Sequence, residues 1–292
     1  MELMITGTPV ETRDFSWDVT LNLSGNRGTL GDFVDGVDFF YVTDVQIGGV
    51  KAASIPNGGY FLGLTGNYWL RETQKVTDKD GNTKWVEKEG GRYEIDPNTG
   101  LYKLKGSTTN VVGNREPIMI GGLNNNFRWK NLSLSFLLDL RLGGDMYNGT
   151  QYYLTSYGQS MRTLNRDKIT FSGVVNTGTS AEPVWEEKTI TYEAGQTYTI
   201  NGRQYAGSNM IQQYYSNYCD NAYNFIEKVN WLRLRALNLS YDFTPLIKGQ
   251  NFIKGLTATA SANNLFVLTN YTGGLDPEAA ATGSGTGGSG SV

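Results

Sequence analysis

The stretch Leu132-Ser-Leu-Ser-Phe-Leu-Leu-Asp-Leu-Arg-Leu142 decides how this chain is read. Leu132, Leu134, Phe136, Leu138, Leu140 and Leu142 fall at even positions. Ser133, Ser135, Asp139 and Arg141 fall at odd ones, with Leu137 the single exception. Successive side chains of a β-strand point to opposite faces, so this period of two predicts a strand with one apolar and one polar face. Its eleven residues exceed the five or six of an average globular strand and match the roughly 9–11 that cross a bilayer.

The same rhythm recurs on either side. Phe15, Trp17, Val19, Leu21 and Leu23 alternate with Ser16, Asp18, Thr20 and Asn22, and Leu256, Ala258, Ala260 and Ala262 alternate with Thr257, Thr259, Ser261 and Asn263. Weaker patterns cover Phe39 to Ile47, Tyr60 to Leu70 and Ile118 to Trp129. Between Val229 and Phe243 the phase changes. Leu232, Leu234 and Ala236 are even, whereas Leu237, Leu239, Tyr241 and Phe243 are odd. One extra residue near Ala236 reconciles the two sets, which predicts a β-bulge there. Seven long strands follow, over 14–24, 37–47, 58–71, 117–129, 131–143, 227–244 and 252–266.

The links between them separate a barrel from a sandwich. Gly25 to Gly36 and Gly48 to Asn57 are moderate, Glu72 to Glu116 is very long, Lys130-Asn131 is a tight turn, Gly144 to Ile226 is longer still, and Pro245 to Asn251 is short. Alternating short and long links are the pattern of outer-membrane barrels, with periplasmic turns at one end and extracellular loops at the other. The expected fold is all-β, an antiparallel transmembrane β-barrel segment with long extracellular loops. Its odd strands run outward and its even strands inward. Phe15, Trp17, Trp129, Tyr241, Phe243 and Phe252 are expected at the periplasmic rim, and Tyr147, Phe266 and Tyr271 at the outer rim. Residues 144–226 form one extracellular loop, in which Thr189 to Ile200 reads as a β-hairpin. Residues 279–292 are Gly/Ser-rich and read as flexible.

Composition narrows the function. Of 292 residues, 18% are charged and the net charge is −3, which lacks the basic face that nucleic acid requires. There is one cysteine, Cys219, and no histidine, so an internal disulfide, a usual zinc site and His-dependent nucleophilic catalysis are excluded. Asp78, Asp80, Asn82 and Glu89 fall at positions one, three, five and twelve of a calcium loop. Thr83 stands where that loop needs glycine, and the segment reads as a hairpin turn instead. Asp96-Pro-Asn-Thr-Gly100 is a second turn, and Cys219 reads as an unpaired loop thiol. No apolar run approaches the roughly 18 residues of a membrane helix. Met1 to Ile5 lacks the regions of a signal peptide and reads as a cut inside a longer gene. No catalytic, cofactor-binding or metal-binding residue is expected, because no carboxylate pair stands out as a hydrolase would need.

Several blocks in a fixed order carry a family likeness. They are Phe15-Ser-Trp-Asp-Val-Thr-Leu-Asn-Leu-Ser24, Pro56-Asn-Gly-Gly-Tyr60, Gly113-Asn-Arg-Glu-Pro117, Gly121-Gly-Leu-Asn124 with Trp129-Lys-Asn-Leu-Ser-Leu134, and Asp139-Leu-Arg-Leu-Gly-Gly144 with Tyr147-Asn148. Trp231-Leu-Arg-Leu-Arg-Ala-Leu-Asn-Leu-Ser-Tyr241 is the most specific, followed by Asn263-Asn-Leu-Phe266, Thr269-Asn-Tyr271 and Leu275-Asp-Pro-Glu278. This series resembles the SusC/RagA-type TonB-dependent transporters of Bacteroidota outer membranes. Ala236 departs from it, standing where that family has Asn. The chain also ends at Ser291-Val292 without a closing strand, and holds neither plug nor TonB box.

The resemblance implies a plugged barrel of about twenty-two strands, of which these would be the fifteenth to twenty-first. It also implies an outer-membrane location, carbohydrate uptake, a SusD-like surface lipoprotein as lid, and TonB acting through an amino-terminal region. Lipid would meet one face, and a glycan or oligopeptide would be the substrate. Ser133, Ser135, Asp139, Arg141, Thr257, Thr259, Ser261 and Asn263 are then lumen-facing candidates, which packing on a plug explains as well as selectivity does. Tyr152, Tyr153, Tyr157, Tyr214, Tyr215 and Tyr218 are candidates for contact with substrate or lid, with packing inside the loop as the alternative. A secreted glycan-binding β-sandwich or β-solenoid would instead show shorter strands and no apolar outer band.

Overall fold

The computed structural model describes residues 1–31, 37, 40–42, 47–55, 59–106, 110–247, 249, 252–274 and 276–278, with side chains omitted at 52, 54 and 55. The alternating segments form strands. Six of them, β1 (Glu2–Glu11), β2 (Phe15–Ser24), β3 (Met119–Trp129), β4 (Leu132–Leu142), β5 (Trp231–Asp242) and β6 (Thr257–Thr269), make one antiparallel sheet in sequence order.

The register carries the leucine rhythm across all six. One row runs Gly7, Val19, Asn125, Phe136, Leu237 and Ala262, and the next runs Ile5, Leu21, Leu123, Leu138, Leu234 and Phe266. Residues opposite one another share a face, so the apolar stripes merge into one apolar surface. That surface is uncovered: Leu239 is 45% exposed and Leu268 61%. The two buried apolar clusters of the described residues contain no residue of these six strands. The leucines of β4 therefore do not point into a closed core.

The expected bulge is present. β4 pairs Leu137 with Ala236 but Leu138 with Leu234, so Arg235 is the extra residue of β5, next to the position the phase change indicated. β6 answers with its own irregularity opposite Arg235, at Asn264 (φ 52°) and Leu265.

The strand assignment over 58–71 needs correction, and most of 37–47 lies outside the described residues. β2 pairs directly with β3, so no strand stands between them in the sheet. Phe40–Tyr41, Lys51–Ile55, Tyr60–Thr65 and Val111–Asn114 form a separate four-stranded sheet of short strands. Glycines set this geometry: Gly48 and Gly49 take φ of 56° and 79° beside the short strands. Conversely, Glu2–Glu11 is a full strand that the pattern did not reveal. Pro9 and Gly7 interrupt its alternation, and a register shift between Gly7 and Val10 absorbs them.

The link alternation survives these changes. Thr12–Asp14, Lys130–Asn131 and 243–256 connect strands at one end of the sheet, whereas 25–118 and 143–230 leave and return at the other. Losing a pair of strands between β2 and β3 leaves the directions of the later strands unchanged. At the short-turn end Phe15, Trp129, Leu132 and Tyr241 form one row. Behind it Trp17 stacks on Phe127 (5.6 Å, 13°), and Phe127 lies 6.0 Å from Phe136. The outer belt does not hold as expected. Tyr147 is fully buried and Tyr271 is 7% exposed, because both turn inward just after a strand end to pack against protein.

Residues 30–113 and 147–226 form a second compact unit with its own core. One cluster gathers Ile47, Val50, Leu64, Val112, Tyr147, Cys219, Ala222 and Phe225, and the other centres on Trp69, Tyr102, Phe171, Tyr192, Met210 and Ile211. Helix α1 (Gly149–Ser156) starts at Asn148, whose side chain accepts from Gln151 N, and α2 is Gly207–Asp220. Thr189 to Ile200 is not a hairpin. Trp185–Glu193 pairs over nine residues with Lys168–Asn176, and Thr197–Ile200 pairs with Arg203–Ala206. The turn between that second pair is Asn201-Gly202 with φ of 47° and 75°, the left-handed pair that a two-residue hairpin turn demands. Thr73–Thr77 and Thr83–Glu87 do form the hairpin expected around Asp78, whose carboxylate accepts from Asp80 N and Asn82 N. The Asp96 turn holds as well, with Gly100 N donating to Asp96 O at 2.8 Å. Cys219 is a free thiol but lies buried on α2, not in an exposed loop.

Close approach fixes one glycine at the start of α2. A Cβ on Gly207 would lie 1.7 Å from Glu193 O, whereas a Cβ on Gly195 would meet nothing within 4 Å. Gly207→Ala should destabilise the second unit by about 1–3 kcal/mol and expose it to protease, with Gly195→Ala unaffected. Limited proteolysis of the two variants measures the difference.

Candidate functional site

All eight polar candidates lie on one face of the sheet. Ser133, Ser240 and Thr259 share a row, as do Ser135, Asn238 and Ser261. Their hydrogen bonds run across the strands. Ser240 Oγ and Thr259 Oγ1 are 2.9 Å apart, and Asn238 Nδ2 donates to Ser135 Oγ at 3.3 Å. Ser16, Asp18, Asn126, Arg128, Ser133 and Ser135 line a hollow of about 320 Å³ on this face. Arg141 is braced rather than extended, donating to Arg115 O (3.1 Å) and Gly143 O (3.3 Å).

The bulge adds a charge cluster that the sequence reading missed. Arg235 Nε donates to Asp139 Oδ2 at 2.6 Å and Arg235 Nη1 to Glu278 Oε2 at 2.9 Å. Arg233, only 5% exposed, pairs with Asp276. Glu278 N closes a short turn on Asp276 Oδ1 (2.9 Å). Both guanidinium groups are thus paired with carboxylates, as burial of a cation requires, although Arg233 Nε itself makes no hydrogen bond and only approaches Glu278 Oε2 at 3.5 Å. The legible signal was Arg at 233 and 235 inside a strand, followed by the acidic pair in Asp276-Pro-Glu278. The apolar face has one polar member, Asn125. It is 4% exposed and its Oδ1 accepts from Trp17 Nε1 at 3.1 Å.

The six candidate tyrosines, all in the second unit, divide. Tyr214 packs on Phe171 (4.9 Å between centroids) and Tyr218 on Trp69 and Phe225, so both serve the core. Tyr152 also leans on Phe225, but with Tyr157 and Tyr215 it lines a groove of about 550 Å³ between α1 and α2. Tyr153 stacks on the exposed Tyr157 at 6.2 Å and 11°. Arg166 and Asp220 line the same groove. Arg166 Nε donates to Thr163 O and Nη2 to Gly158 O. Burial pushes the Asp220 carboxyl above its ordinary range. It also pushes the Cys219 thiol up to about 12, which leaves that sulfur unreactive.

Elsewhere in this unit the side-chain hydrogen bonds from Arg92 first, and then Lys88, hold Glu72 below the usual carboxylate value of 4.5. Its ion pairs are 2.8 and 3.2 Å long. A depressed folded-state pKa stabilises above the unfolded value and is lost as pH falls through the folded one. Glu72→Gln should therefore lower the melting temperature of the second unit at pH 7. The gap to the unmodified protein should close as pH drops below about 4.5, which thermal melts across pH 3–7 would record.

No protein-family model matches the chain. Among curated proteins it is similar to TonB-dependent receptor P3 of Formosa agariphila, 22% identical over 95% of this chain and 25% of that protein. It is 25% identical to TonB-dependent receptor P26 of the same organism, over 95% of the chain and 25% of the relative. TonB-dependent receptor SusC of Bacteroides thetaiotaomicron is 24% identical over 95% of the chain and 24% of its own length. Among solved structures, the RagAB peptide transporter aligns with TM-score 0.52 at 17% identity. The RagAB peptide importer in its open-open state aligns with TM-score 0.53 at 19%. Each alignment covers 95% of this chain and 26% of the other. At these identities the structural likeness establishes the fold. The chain spans about a quarter of the length of these relatives.

Proposed function

We propose that this chain, a homologue of the SusC/RagA-type TonB-dependent transporters, forms part of the wall of an outer-membrane channel that imports nutrients. One observation carries the reading: six long antiparallel strands with an uncovered apolar face on one side and hydroxyls, amides and charges on the other. In a bilayer the apolar face meets acyl chains, and the polar face meets water or a plug. β1 and β6 are the edges of this sheet, and hydrocarbon tolerates such edges only when further strands close the barrel. A secreted β-sandwich is disfavoured, because it would cover the apolar face with a second layer.

On this reading Ser133, Ser135, Asp139, Arg141, Thr257, Thr259, Ser261 and Asn263 face the lumen. The second unit is extracellular, where a SusD-like lipoprotein closes over it. TonB supplies energy through a plug-bearing region outside this chain. The cargo is a glycan, as in the carbohydrate branch of the resemblance, or an oligopeptide, as the names of the RagAB structures have it. The relatives are receptors and transporters by name, which fits a wall and not an enzyme.

Growth tests the whole reading. A strain lacking the intact gene should lose growth on one class of oligomeric nutrient and regain it on complementation; unchanged growth on every glycan and peptide source would refute import. Complementation with Leu138→Arg should fail, since a cation facing lipid near mid-membrane costs about 2–4 kcal/mol. Ser135→Arg, on the opposite face, should still reach the outer membrane, as heat-modifiable migration of the membrane fraction would reveal.

A further inference from the structure

The chain that leaves β6 turns back over the polar face of the sheet. Its root is tied at the long-link end. Asn270 Oδ1 accepts from Asn230 N at 2.8 Å, and Asn270 Nδ2 donates to Lys228 O at 2.9 Å. Thr272 donates from N and from Oγ1 to the two carboxylate oxygens of Glu227, each at 2.8 Å. Beyond Gly273 and Gly274, the latter at φ 73°, the tip is held by charge. Asp276 pairs with Arg233, and Glu278 Oε2 accepts from Arg235 Nη1 at 2.9 Å. Trp231 lies opposite Thr269 and Arg233 opposite Val267. The tip has therefore come back two residues along β6, about 7 Å at 3.4 Å per residue.

The wall that receives the tip is left incompletely satisfied by it. Arg233 is 5% exposed and Trp231 7%, and the Arg233 guanidinium lies 5.9 Å from the centre of the Trp231 ring. Arg233 Nε and Trp231 Nε1 are both sealed from solvent, and neither makes a hydrogen bond. Glu278 Oε2 stops 3.5 Å short of Arg233 Nε because it is engaged with Arg235. One carboxylate is thus shared between two cations while two buried donors go unused. Buried donors without acceptors are costly, and an acid group free to choose its position would collect them. The tip itself stays within reach of water: the Asp276 side chain is 47% exposed and that of Glu278 31%.

We propose that Arg233, Arg235 and Trp231 form an anion-binding site on the polar face, and that Asp276 and Glu278 are its internal ligand, a strap that a better-fitting oligoanion displaces. The two carboxylates stand in for acid groups on neighbouring units of that ligand, about 7 Å apart as residues two positions apart in an extended chain are. The planar fork of arginine suits such groups. Asp139, 2.6 Å from Arg235 Nε, positions one guanidinium from the wall side whether or not the strap is in place. Release needs only the tip to move about Gly273 and Gly274, since the bonds of the root involve neither Asp276 nor Glu278. The inference rests on the import reading only for the direction of arrival, which is the lumen.

The test is calorimetric titration of the detergent-solubilised full-length transporter with trigalacturonate, and with maltotriose as the neutral control. A tethered competitor acts at an effective concentration on the order of millimolar. Asp276→Asn combined with Glu278→Gln removes its charges and should tighten trigalacturonate at least about tenfold, with maltotriose unchanged. Adding Arg235→Gln should abolish that gain, and Arg235→Lys should recover part of it. Heat-modifiable migration checks that each variant barrel is folded. In the unmodified protein, saturating trigalacturonate should speed hydrogen exchange at Glu278 N, which donates to Asp276, and leave Thr272 N at the root protected. Unchanged trigalacturonate affinity in the double variant, an equal gain for maltotriose, or binding without release of Glu278 N would overturn the proposal and leave these ion pairs a structural role alone. Such a result beside successful complementation by the unmodified gene removes only the anion site, whereas failed complementation strikes the import reading itself.

Discussion

The antiparallel registration of β4 with β5, with Arg235 bulged out of the ladder, is the constraint on which the sheet depends. Leu232 and Leu234 precede the bulge in one phase, and Leu237 and Leu239 follow it in the other. Without the extra residue a one-residue slip would send half of β5's leucines to the polar face and its asparagine and serine to the apolar one. The bulge keeps both sets beside Leu132, Leu134, Phe136, Leu138 and Leu140. It also projects Arg235 onto the polar face, where Asp139 and Glu278 receive it. A single inserted residue therefore preserves an unbroken apolar surface and creates the main charge cluster opposite it.

The two units solve burial differently. Among the described residues the sheet contributes to neither buried apolar cluster, and its apolar face is left uncovered. The second unit is a conventional water-compatible fold. Its aromatic clusters are closed, its buried Glu72 is ion-paired, and its chain reversals use glycine or asparagine where left-handed backbone is needed. That contrast matches a protein whose strands meet lipid and whose long excursions meet water.

Much of this was legible. The alternation in β2, β4, β5 and β6 was strong enough to locate the strands, the shared face of the eight polar candidates and the bulge to within one residue. The short strands were misread because an even/odd pattern over five or six residues does not say which sheet a strand joins; Tyr60–Thr65 pairs locally with Lys51–Ile55. β1 was missed because Pro9 and Gly7 break its rhythm, although a bulge tolerates both. The hairpin was misplaced because Asn201-Gly202, the stronger turn signal, was overlooked. The groove in the second unit was less legible. Its tyrosine-rich segments were read as loop but form helices, and only tertiary structure separates Tyr214 and Tyr218 in the core from Tyr152, Tyr157 and Tyr215 in the groove.

The central claim is that the even-numbered side chains of β4 touch acyl chains and the odd-numbered ones do not. It is tested most directly by spin labels placed singly at 133, 134, 135, 136, 138 and 139 in the full-length protein in bilayers, with Cys219 replaced by serine. Collision with oxygen, which concentrates in lipid, should be high at 134, 136 and 138 and low at 133, 135 and 139. A flat profile, or even-numbered sites shielded from oxygen and from water-soluble relaxants alike, would place those leucines inside protein and contradict the account.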